Sequence, residues 1–410
     1  MPLKNIHYAW IIIFSGVLTL FACLGLGRFA LGMLLPSMGD SLSLSYTQMG
    51  VISTGNFIGY LTAVLICGKL IAKLGERRTI FTGLILVGLS MLLVSQSSEF
   101  KLITLLYFVT GIGSGIANIT VMSLVAHWFS PKYRGRAAGY MIVGNGLGIV
   151  LSGLLVPWLN SAWTDSGWRI GWGLFGASII ILSGIVVWLI RNHPRELNLN
   201  TFGAQDADIS KAVKLETGKP ENIRKLIFHI GSIYFLFGFT YVIYATFIVT
   251  TLIQQHHFTE SKAGFLWMLI GILSIFSGAL FGGVSDHFGR KKGLIAVFAI
   301  QTLSYALVAS ELGQIALYLS MFLFSISAFS IPAIIAATIS DMLPATEAGK
   351  AFGFVTFFFG VGQIAGPTLA GYLAESTQSF TSSYLVAALL TATAIGLTSQ
   401  LASNRSSENN

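Results

Sequence analysis

The hydrophobic positions of this chain fall into long apolar runs separated by short polar or charged connections. Crossing about 30 Å of hydrocarbon takes roughly 20 apolar residues in a helix, and twelve runs meet that length. The pattern predicts transmembrane helices over residues 9–35, 46–72, 77–96, 101–128, 134–160, 168–192, 225–254, 262–287, 291–310, 313–340, 347–374 and 380–402. The only long polar stretch, residues 193–224, separates the first six predicted helices from the last six.

Two short basic loops between these runs repeat one another at a constant offset. Gly68 and Gly75 of the first loop correspond to Gly282 and Gly289 of the second, since both pairs are 214 positions apart. The same offset relates the glycines of Arg-Gly-Arg-Ala-Ala-Gly, which begins at residue 134, to those of Ala-Gly-Lys-Ala-Phe-Gly, which begins at residue 348. We therefore predict an internally duplicated, all-α integral membrane protein. Its parts are a six-helix bundle in residues 1–192, a linker in 193–224 and a second six-helix bundle in 225–410.

The composition agrees with a membrane location. Hydrophobic residues make up 54% of the 410 residues, charged residues only 10%, and the mean hydropathy is +0.76. A water-soluble globule of this size needs more polar surface than that. Both cysteines, Cys23 and Cys67, lie inside predicted helices, so we expect two thiols in the protein core and no disulfide framework.

The distribution of Lys and Arg predicts the orientation. Twenty of these residues lie in the termini, the linker and the even-numbered connections, whereas the opposite side carries Lys101, Arg169 and Lys262. Because positive loops stay on the inner side, we predict a plasma (inner) membrane protein with both termini and the linker in the cytoplasm. The net charge of +8 then reflects topology and gives no reason to expect nucleic-acid binding.

Several motifs lie at defined places in this duplicated frame. The second basic loop, from Gly282 through Asp286, Gly289, Arg290 and Lys291, follows the pattern Gly-x-Leu-x-Asp-x-x-Gly-Arg-Lys-x closely. With twelve helices, two homologous halves and a charged linker, the whole chain resembles the major facilitator superfamily of secondary transporters. The segments Gly-Leu-Gly-Arg-Phe-Ala-Leu-Gly-Met-Leu-Leu-Pro (25–36) and Asn-Phe-Ile-Gly-Tyr (56–60) are similar to a branch of poorly characterised bacterial permeases.

The resemblance implies a gating role for the loop motifs. In the family, the loop Asp is thought to help latch the two halves together on the cytoplasmic side. Here Asp286 is present in the second loop, whereas Ala72 and Glu76 stand in the first loop where the family has Asp and Arg, so only one latch is expected. The candidate gating or structural residues are Gly68, Gly75, Arg77, Arg78, Gly282, Asp286, Gly289, Arg290, Lys291, Gly366 and Pro367.

Two features of proton-driven drug efflux in this family are missing. Tyr107 precedes the glycines of the fourth predicted helix, where proton-linked members often carry Arg. In the fifth helix Ser152-Gly153 occupies the place of the Gly-Pro antiporter signature, although the eleventh helix retains Gly366-Pro367.

Small residues four positions apart recur along the predicted helices. The pairs are Gly111 and Gly115, Gly135 and Gly139, Gly278 and Gly282, and Gly349 and Gly353. Such spacing allows the backbones of two helices to approach closely within a membrane, and we expect close helix packing at all four pairs.

Arg28 is the ionisable residue expected to lie deep in the membrane. It is six residues past the middle of the first predicted helix, or about 9 Å toward the outer face, and no acidic residue of the chain falls at mid-membrane. A guanidinium there costs about 2.5 to 3.5 kcal/mol to insert unless it is compensated. One interpretation is that Arg28 binds the carboxylate or phosphate of a substrate through its planar fork of donors.

A structural interpretation of Arg28 stands beside the functional one. Its side chain could extend outward to the interface, or it could pair with Asp40 on the same helix. Asp40 is about 18 Å away along a continuous helix, so that pairing requires the chain to bend at Pro36.

Neutral polar residues near mid-depth complete the candidate substrate site. With Arg28 they are Asn56, Tyr60, Asn118, Asn145, Tyr241, Tyr244 and Gln363. The alternative role for each is a helix-to-helix hydrogen bond within the lipid. By the offset of 214, Arg28 corresponds to Val242, so we expect a pocket that is charged on one side and aromatic on the other.

Other chemistries find no support in the sequence. The Gly-x-Gly strings lie inside apolar helices with no preceding strand, which argues against dinucleotide binding. The histidines at 127, 229, 256 and 257 form no metal-ligand pattern at mid-depth, and no nucleophile, base and orienting group can be assembled. We expect no enzymatic activity, no cofactor and no metal.

The sequence thus predicts a secondary active or facilitative transporter of a small organic anion that works by alternating access. Its expected partners are a small-molecule substrate, the lipid bilayer and, for a coupled transporter, a proton that could travel with a weak-acid substrate. Two alternatives are an efflux permease for hydrophobic or cationic compounds and a sensor that keeps the fold without transport.

Overall fold

The computed structural model describes residues 7–204, 220–343 and 345–401. This part of the chain contains twelve helices that are long and apolar enough to cross a membrane. We number them α1 Ala9–Leu42, α2 Tyr46–Leu74, α3 Glu76–Gln96, α4 Phe100–Trp128, α5 Pro131–Ala162, α6 Gly167–Leu189, α7 Ile223–Gln255, α8 Glu260–Phe288, α9 Arg290–Ala309, α10 Gln314–Met342, α11 Glu347–Thr377 and α12 Thr381–Ser399.

These bounds confirm the predicted number, type and order of the helices. The largest departure is α1, which continues beyond its predicted end at residue 35, through Pro36, to Leu42. Its middle turns, Phe21–Phe29, are π-helical, an arrangement that is common at functional sites. A turn interrupts α10 between its helical parts, Gln314–Ser327 and Ser330–Met342.

The two halves, helices α1–α6 and α7–α12, meet along three helix pairs: α1 with α7, α2 with α11, and α5 with α8. Between α5 and α8 the backbones touch at Gly146 with Gly271 and at Gly153 with Gly264, where an added Cβ would collide with the facing helix. Small residues thus allow the close approach.

All three helix pairs are tied together on one side of the molecule. We call it the far side, because it lies opposite the linker; here α1 ends and α2 begins. Three carboxylates accept hydrogen bonds across the interface: Glu375 from Ser45 Oγ at 2.8 Å and from Thr47 N at 3.0 Å, Asp40 from Gln254 Nε2 at 2.7 Å, and Glu260 from Asn160 Nδ2 at 2.9 Å.

The halves are apart on the opposite side, where α6 ends and α7 begins, which we call the linker side. A Cβ added at Gly135, Gly139, Gly349 or Gly353 would meet no other atom within 4 Å. The expectation of close packing at these glycines, and at Gly282, is therefore wrong for this conformation. It holds for Gly111, which touches the backbone of α2, and for Gly115.

The loop expected to latch the halves together is bonded within the second half. Arg290 donates to Asp341 Oδ2 at 2.7 Å, to Ser285 Oγ at 2.8 Å and to Asp286. The predicted link from Asp286 to the first half is absent among the described residues of this conformation, since the halves are separated on the linker side. The predicted linker, residues 193–224, lies partly outside the described residues.

The two loop motifs share a backbone conformation. Gly75 has φ +75° and Gly289 has φ +92°, in the region that favours glycine. Each glycine turns the chain directly from one helix into the next, α2 into α3 and α8 into α9. The equivalence of the loops in sequence is therefore also an equivalence in structure.

Candidate functional site

Arg28 lies closer to the middle of its helix than the sequence indicated. Because α1 runs from Ala9 to Leu42, Arg28 is about 4 Å beyond the midpoint at 1.5 Å per residue, instead of about 9 Å. It belongs to the π-helical turns, Phe21–Phe29, and its side chain faces a cavity between the two halves.

Two residues of neighbouring helices hold Arg28 in place. Its Nε donates to Asn56 Oδ1 on α2 at 3.2 Å, and its backbone carbonyl accepts from Tyr107 Oη on α4 at 3.0 Å. Asn56 Nδ2 in turn donates to the carbonyl of Tyr107 at 3.3 Å. The three residues form a closed hydrogen-bonded ring, so the position of the guanidinium is fixed before any ligand arrives.

Aromatic rings cover part of the guanidinium. Its Cζ is 4.4 Å from the ring centroid of Tyr60 and 4.9 Å from that of Phe57, both within cation–π range. Tyr60 is oriented by Asn118, whose Nδ2 donates to the Tyr60 hydroxyl at 2.6 Å. These contacts stabilise a cation without neutralising its charge.

One end of the guanidinium has no partner. Arg28 Nη2 is buried and makes no hydrogen bond. The guanidinium does interact with the hydroxyl of Tyr241 in the second half, and no ion pair to Arg28 is found in residues 7–204, 220–343 and 345–401. The pairing with Asp40 that we considered is not formed, because Asp40 instead accepts from Gln254. A buried donor without a partner costs free energy, which an anionic ligand would recover.

The cavity beside Arg28 lies between α1, α2 and α4 of the first half and α7 of the second. The cavity is narrow in this conformation: about 20 Å³ of it is open to the centre of a water-sized sphere, so a ligand larger than water requires the walls to move apart. Its lining residues are Arg28, Phe29, Leu31, Gly32, Ser53, Asn56, Phe57, Tyr107, Tyr241, Val242, Ala245 and Thr246. Tyr241 is oriented by Gln363, whose Nε2 donates to its hydroxyl at 2.7 Å.

A mostly apolar cavity adjoins the first and shares Phe29, Tyr241 and Ala245 with it. Its other lining residues are Ile149, Trp267, Ile270, Ser274, Phe324, Ala328 and Phe329. Most of this wall belongs to the second half. The combined space is therefore cationic and polar toward the first half and aromatic toward the second.

The structure brings most of the predicted site residues together. Arg28, Asn56, Tyr60, Asn118, Tyr241 and Gln363 either line the cavity or orient a residue beside it. Tyr244 is elsewhere, since its hydroxyl bonds to Ser320 inside the second half at 2.9 Å. Asn145 is buried on α5 with its Oδ1 unpartnered, and it does not line the cavity.

Nine of the twelve lining residues were not predicted as part of the site, and four of them are polar or aromatic side chains beside Arg28 or across the halves: Phe57, Tyr107, Ser53 and Thr246. Phe57 could have been found, since it lies between Asn56 and Tyr60 in sequence. Tyr107 was noted only as the replacement of an expected Arg. Ser53 and Thr246 bond to each other across the halves at 3.1 Å, a contact that sequence separation conceals.

Sequence comparison agrees with this architecture. Residues 20–399 match the model of the family described as "Uncharacterised MFS-type transporter YbfB". The chain belongs to this family. Its members are transporters of the major facilitator type, so this protein is a multi-pass membrane transporter and not an enzyme.

Individual relatives are distant but match along most of their length. The chain is 25% identical to a hexuronate transporter of Bacillus subtilis over 88% of this chain and 87% of that protein. It is 21% identical to a probable sulfoacetate transporter of Cupriavidus necator, with coverages of 87% and 85%. The crystal structure of a bacterial homolog to the human lysosomal transporter Spinster superimposes with a TM-score of 0.74 at 14% identity, covering 96% of this chain and 97% of that one.

Proposed function

We propose that this transporter carries a small organic anion and that Arg28 binds its carboxylate or other acidic group. The observation that carries the proposal is the unpartnered, buried Nη2 of Arg28 at a cavity between the two halves. A central position between two homologous halves is where such transporters bind substrate. The guanidinium offers charge-assisted hydrogen bonds, which are the strong ones.

The electrostatics of the cavity favour an anion over a cation. None of the residues that line the two adjoining cavities is acidic, so a bound cation would face the uncompensated charge of Arg28. An anion would neutralise that charge in a medium where charge is costly. Efflux of cationic compounds is disfavoured for the same reason.

The remainder of the substrate would contact the second half. Tyr241 offers a hydroxyl, whereas Trp267, Phe324 and Phe329 offer aromatic surface. Such a wall suits a sugar ring or an aromatic or aliphatic group attached to the acid. The two named relatives agree with this class, because hexuronate and sulfoacetate are both organic anions.

Transport would proceed by rocking of the two halves, residues 1–192 and 225–410, about this cavity. The far side is closed by hydrogen bonds and glycine contacts, while the linker side is open. With the linker and termini in the cytoplasm, as the distribution of positive charge indicates, this conformation faces inward. The cavity residues include no carboxylate to carry a proton, so a co-transported proton would accompany a weak-acid substrate.

Uptake into proteoliposomes tests the proposal. Labelled D-glucuronate, sulfoacetate and benzoate are offered to the wild-type protein, to Arg28→Ala and to Lys101→Ala, which removes an exposed cation on the far side. We expect uptake of at least one acid by the wild type and by Lys101→Ala, and its loss in Arg28→Ala. Uptake by Arg28→Ala at the wild-type rate would refute the role of Arg28.

A further inference from the structure

Three potential metal ligands converge at the linker side of the first half, far from the cavity. Glu76 is the first residue of α3, His127 lies one residue before the end of α4, and His193 follows α6. One ligand atom of each lies within 4.8 Å of those of the other two. His127 Nε2 is 3.4 Å from Glu76 Oε1, and the two imidazole centroids are 4.5 Å apart.

The backbone beside these residues is held by hydrogen bonds. Asn192, next to His193, accepts from the backbone N–H of Arg77 at 2.8 Å. Trp128, next to His127, donates from Nε1 to the carbonyl of Arg191 at 3.0 Å. These bonds tie the backbone beside His127 and His193 to neighbouring segments, which helps to hold the three ligands near one another.

Glu76 lacks a permanently charged side-chain partner. It is 7% exposed, and in the described part of the chain its one ion-pair contact is with His127, which is charged only when protonated. The guanidinium of the adjacent Arg77 bonds instead to the carbonyl of Val187. The amino end of α3 supplies only a partial positive charge.

The second half shows what occupies the equivalent place. By the offset of 214, Glu76 corresponds to Arg290 and His127 to Asp341, and these two are hydrogen-bonded at 2.7 Å. In the second half a permanent cation thus lies between Asp341 and Asp286. In the first half that cation has been replaced by a carboxylate flanked by two imidazoles.

We propose that Glu76, His127 and His193 bind a divalent transition-metal ion of the zinc type. Two imidazoles and a carboxylate are ligands that zinc prefers, with water completing a tetrahedron. Zinc bonds of 2.0 to 2.1 Å place the ligand atoms roughly 3.3 Å apart. The Glu76–His127 separation of 3.4 Å matches that value, and the exposed His193 side chain, whose ligand atom is within 4.8 Å of the other two, would turn inward to complete the set. The ion would link the start of the linker to the beginning of α3 and the end of α4.

Metal binding by the purified, untagged protein tests this site. After treatment with EDTA, the full-length protein in detergent is titrated with Zn²⁺ by calorimetry, and Co²⁺ is added separately to record its visible spectrum. We expect about one ion per chain and a tetrahedral Co²⁺ spectrum. Glu76→Gln and His193→Ala should each weaken Zn²⁺ binding about tenfold or more.

The matched control is His287→Ala, which removes an exposed histidine from the corresponding loop of the second half. It should bind Zn²⁺ as the wild type does. His193 is itself exposed, so His193→Ala should keep the unfolding midpoint of the metal-free wild type. The proposal is overturned if the wild type binds Zn²⁺ no better than His193→Ala, or if Co²⁺ retains the spectrum of the hydrated ion.

Discussion

Asp40 and Gln254 are hydrogen-bonded at 2.7 Å and occupy equivalent positions in the two halves, since 254 minus 40 is 214. The far-side ends of α1 and α7 therefore meet at matching points of the duplicated frame. Divergence after the duplication has made this contact asymmetric, with a carboxylate on one helix and an amide donor on the other. Together with Glu375 and Glu260, this bond closes the far side.

Weakening the far-side hydrogen bonds should open that side. Glu375→Ala removes the acceptor of Ser45 and Thr47, and we expect the equilibrium to shift about fivefold toward far-side opening. Double electron–electron resonance measures the far-side opening as the distance between spin labels at positions 161 and 312, both of which are exposed on the far side. Glu99→Ala, which alters an exposed far-side carboxylate, should leave the distances unchanged; equal distributions in both variants would contradict the account.

The glycines of α5 and α8 predict which residues come into contact when the linker side closes and the far side opens. Gly146 faces Gly271, and seven residues along each helix Gly153 faces Gly264, with the helices antiparallel. Seven residues the other way, the same register places Gly139 opposite Gly278, and four further, Gly135 opposite Gly282. A Cβ at Gly135, Gly139 or Gly282 would meet nothing in this conformation, and one at Gly278 would meet only Phe329 of the same half. These glycines would meet across the halves when the linker side closes.

Valine substitutions in this register should have opposite effects on the conformation. Gly271→Val obstructs the contact with Gly146 and should open the far side. Gly139→Val touches nothing in the present conformation and should obstruct closure of the linker side only. Both should slow transport, with far-side label distances increased in Gly271→Val and kept in the present state in Gly139→Val. A normal transport rate for Gly139→Val would show that the register does not continue.

The sequence was sufficient to predict the helices and the duplication because a membrane imposes long apolar runs. It also placed Arg28 opposite Val242, since the offset of 214 relates the two halves, and both residues line the cavity. It could not predict the π-helical turns around Arg28, which depend on packing against other helices. The prediction placed Tyr244 in the site because the sequence gives the depth of a residue along its helix but not the direction in which its side chain points.

The same limit explains the metal ligands. Glu76, His127 and His193 are 51 and 66 residues apart in sequence and lie on three separate segments. The spacing of these three residues along the chain matches no metal-binding motif. Only the packing of α3, α4 and the segment after α6 brings them together.

Tyr107 should act by positioning Arg28. Tyr107→Phe keeps the ring against Trp172 but loses the hydrogen bond to the carbonyl of Arg28. Arg28 is then less well ordered before binding, and we expect about fivefold weaker anion binding. Tyr244→Phe also loses one buried hydrogen bond, to Ser320, yet should bind the anion normally. Calorimetry with a transported acid compares them, and equal losses in both variants would exclude a specific role for Tyr107.

Asp286 should affect transport more than stability. Its side chain is 67% exposed beside Arg290, and such surface pairs contribute less than about 1 kcal/mol, so Asp286→Asn should unfold at nearly the wild-type temperature. If Asp286 contacts the first half when the linker side closes, transport should nevertheless slow. Arg290→Ala, which also loses the hydrogen bonds to Asp341 and Ser285, should be the less stable variant. Normal transport by Asp286→Asn would show that Asp286 is not part of the gate.

The most direct test of anion recognition by Arg28 is thermal stabilisation by matched acids and amides. D-Glucuronate, sulfoacetate and benzoate are each compared with the corresponding neutral amide, on the wild type, Arg28→Ala and Lys101→Ala. We predict that at least one acid stabilises the wild type and Lys101→Ala, that its amide does not, and that Arg28→Ala loses the effect. Equal stabilisation by acid and amide, or an undiminished shift in Arg28→Ala, would contradict the central claim.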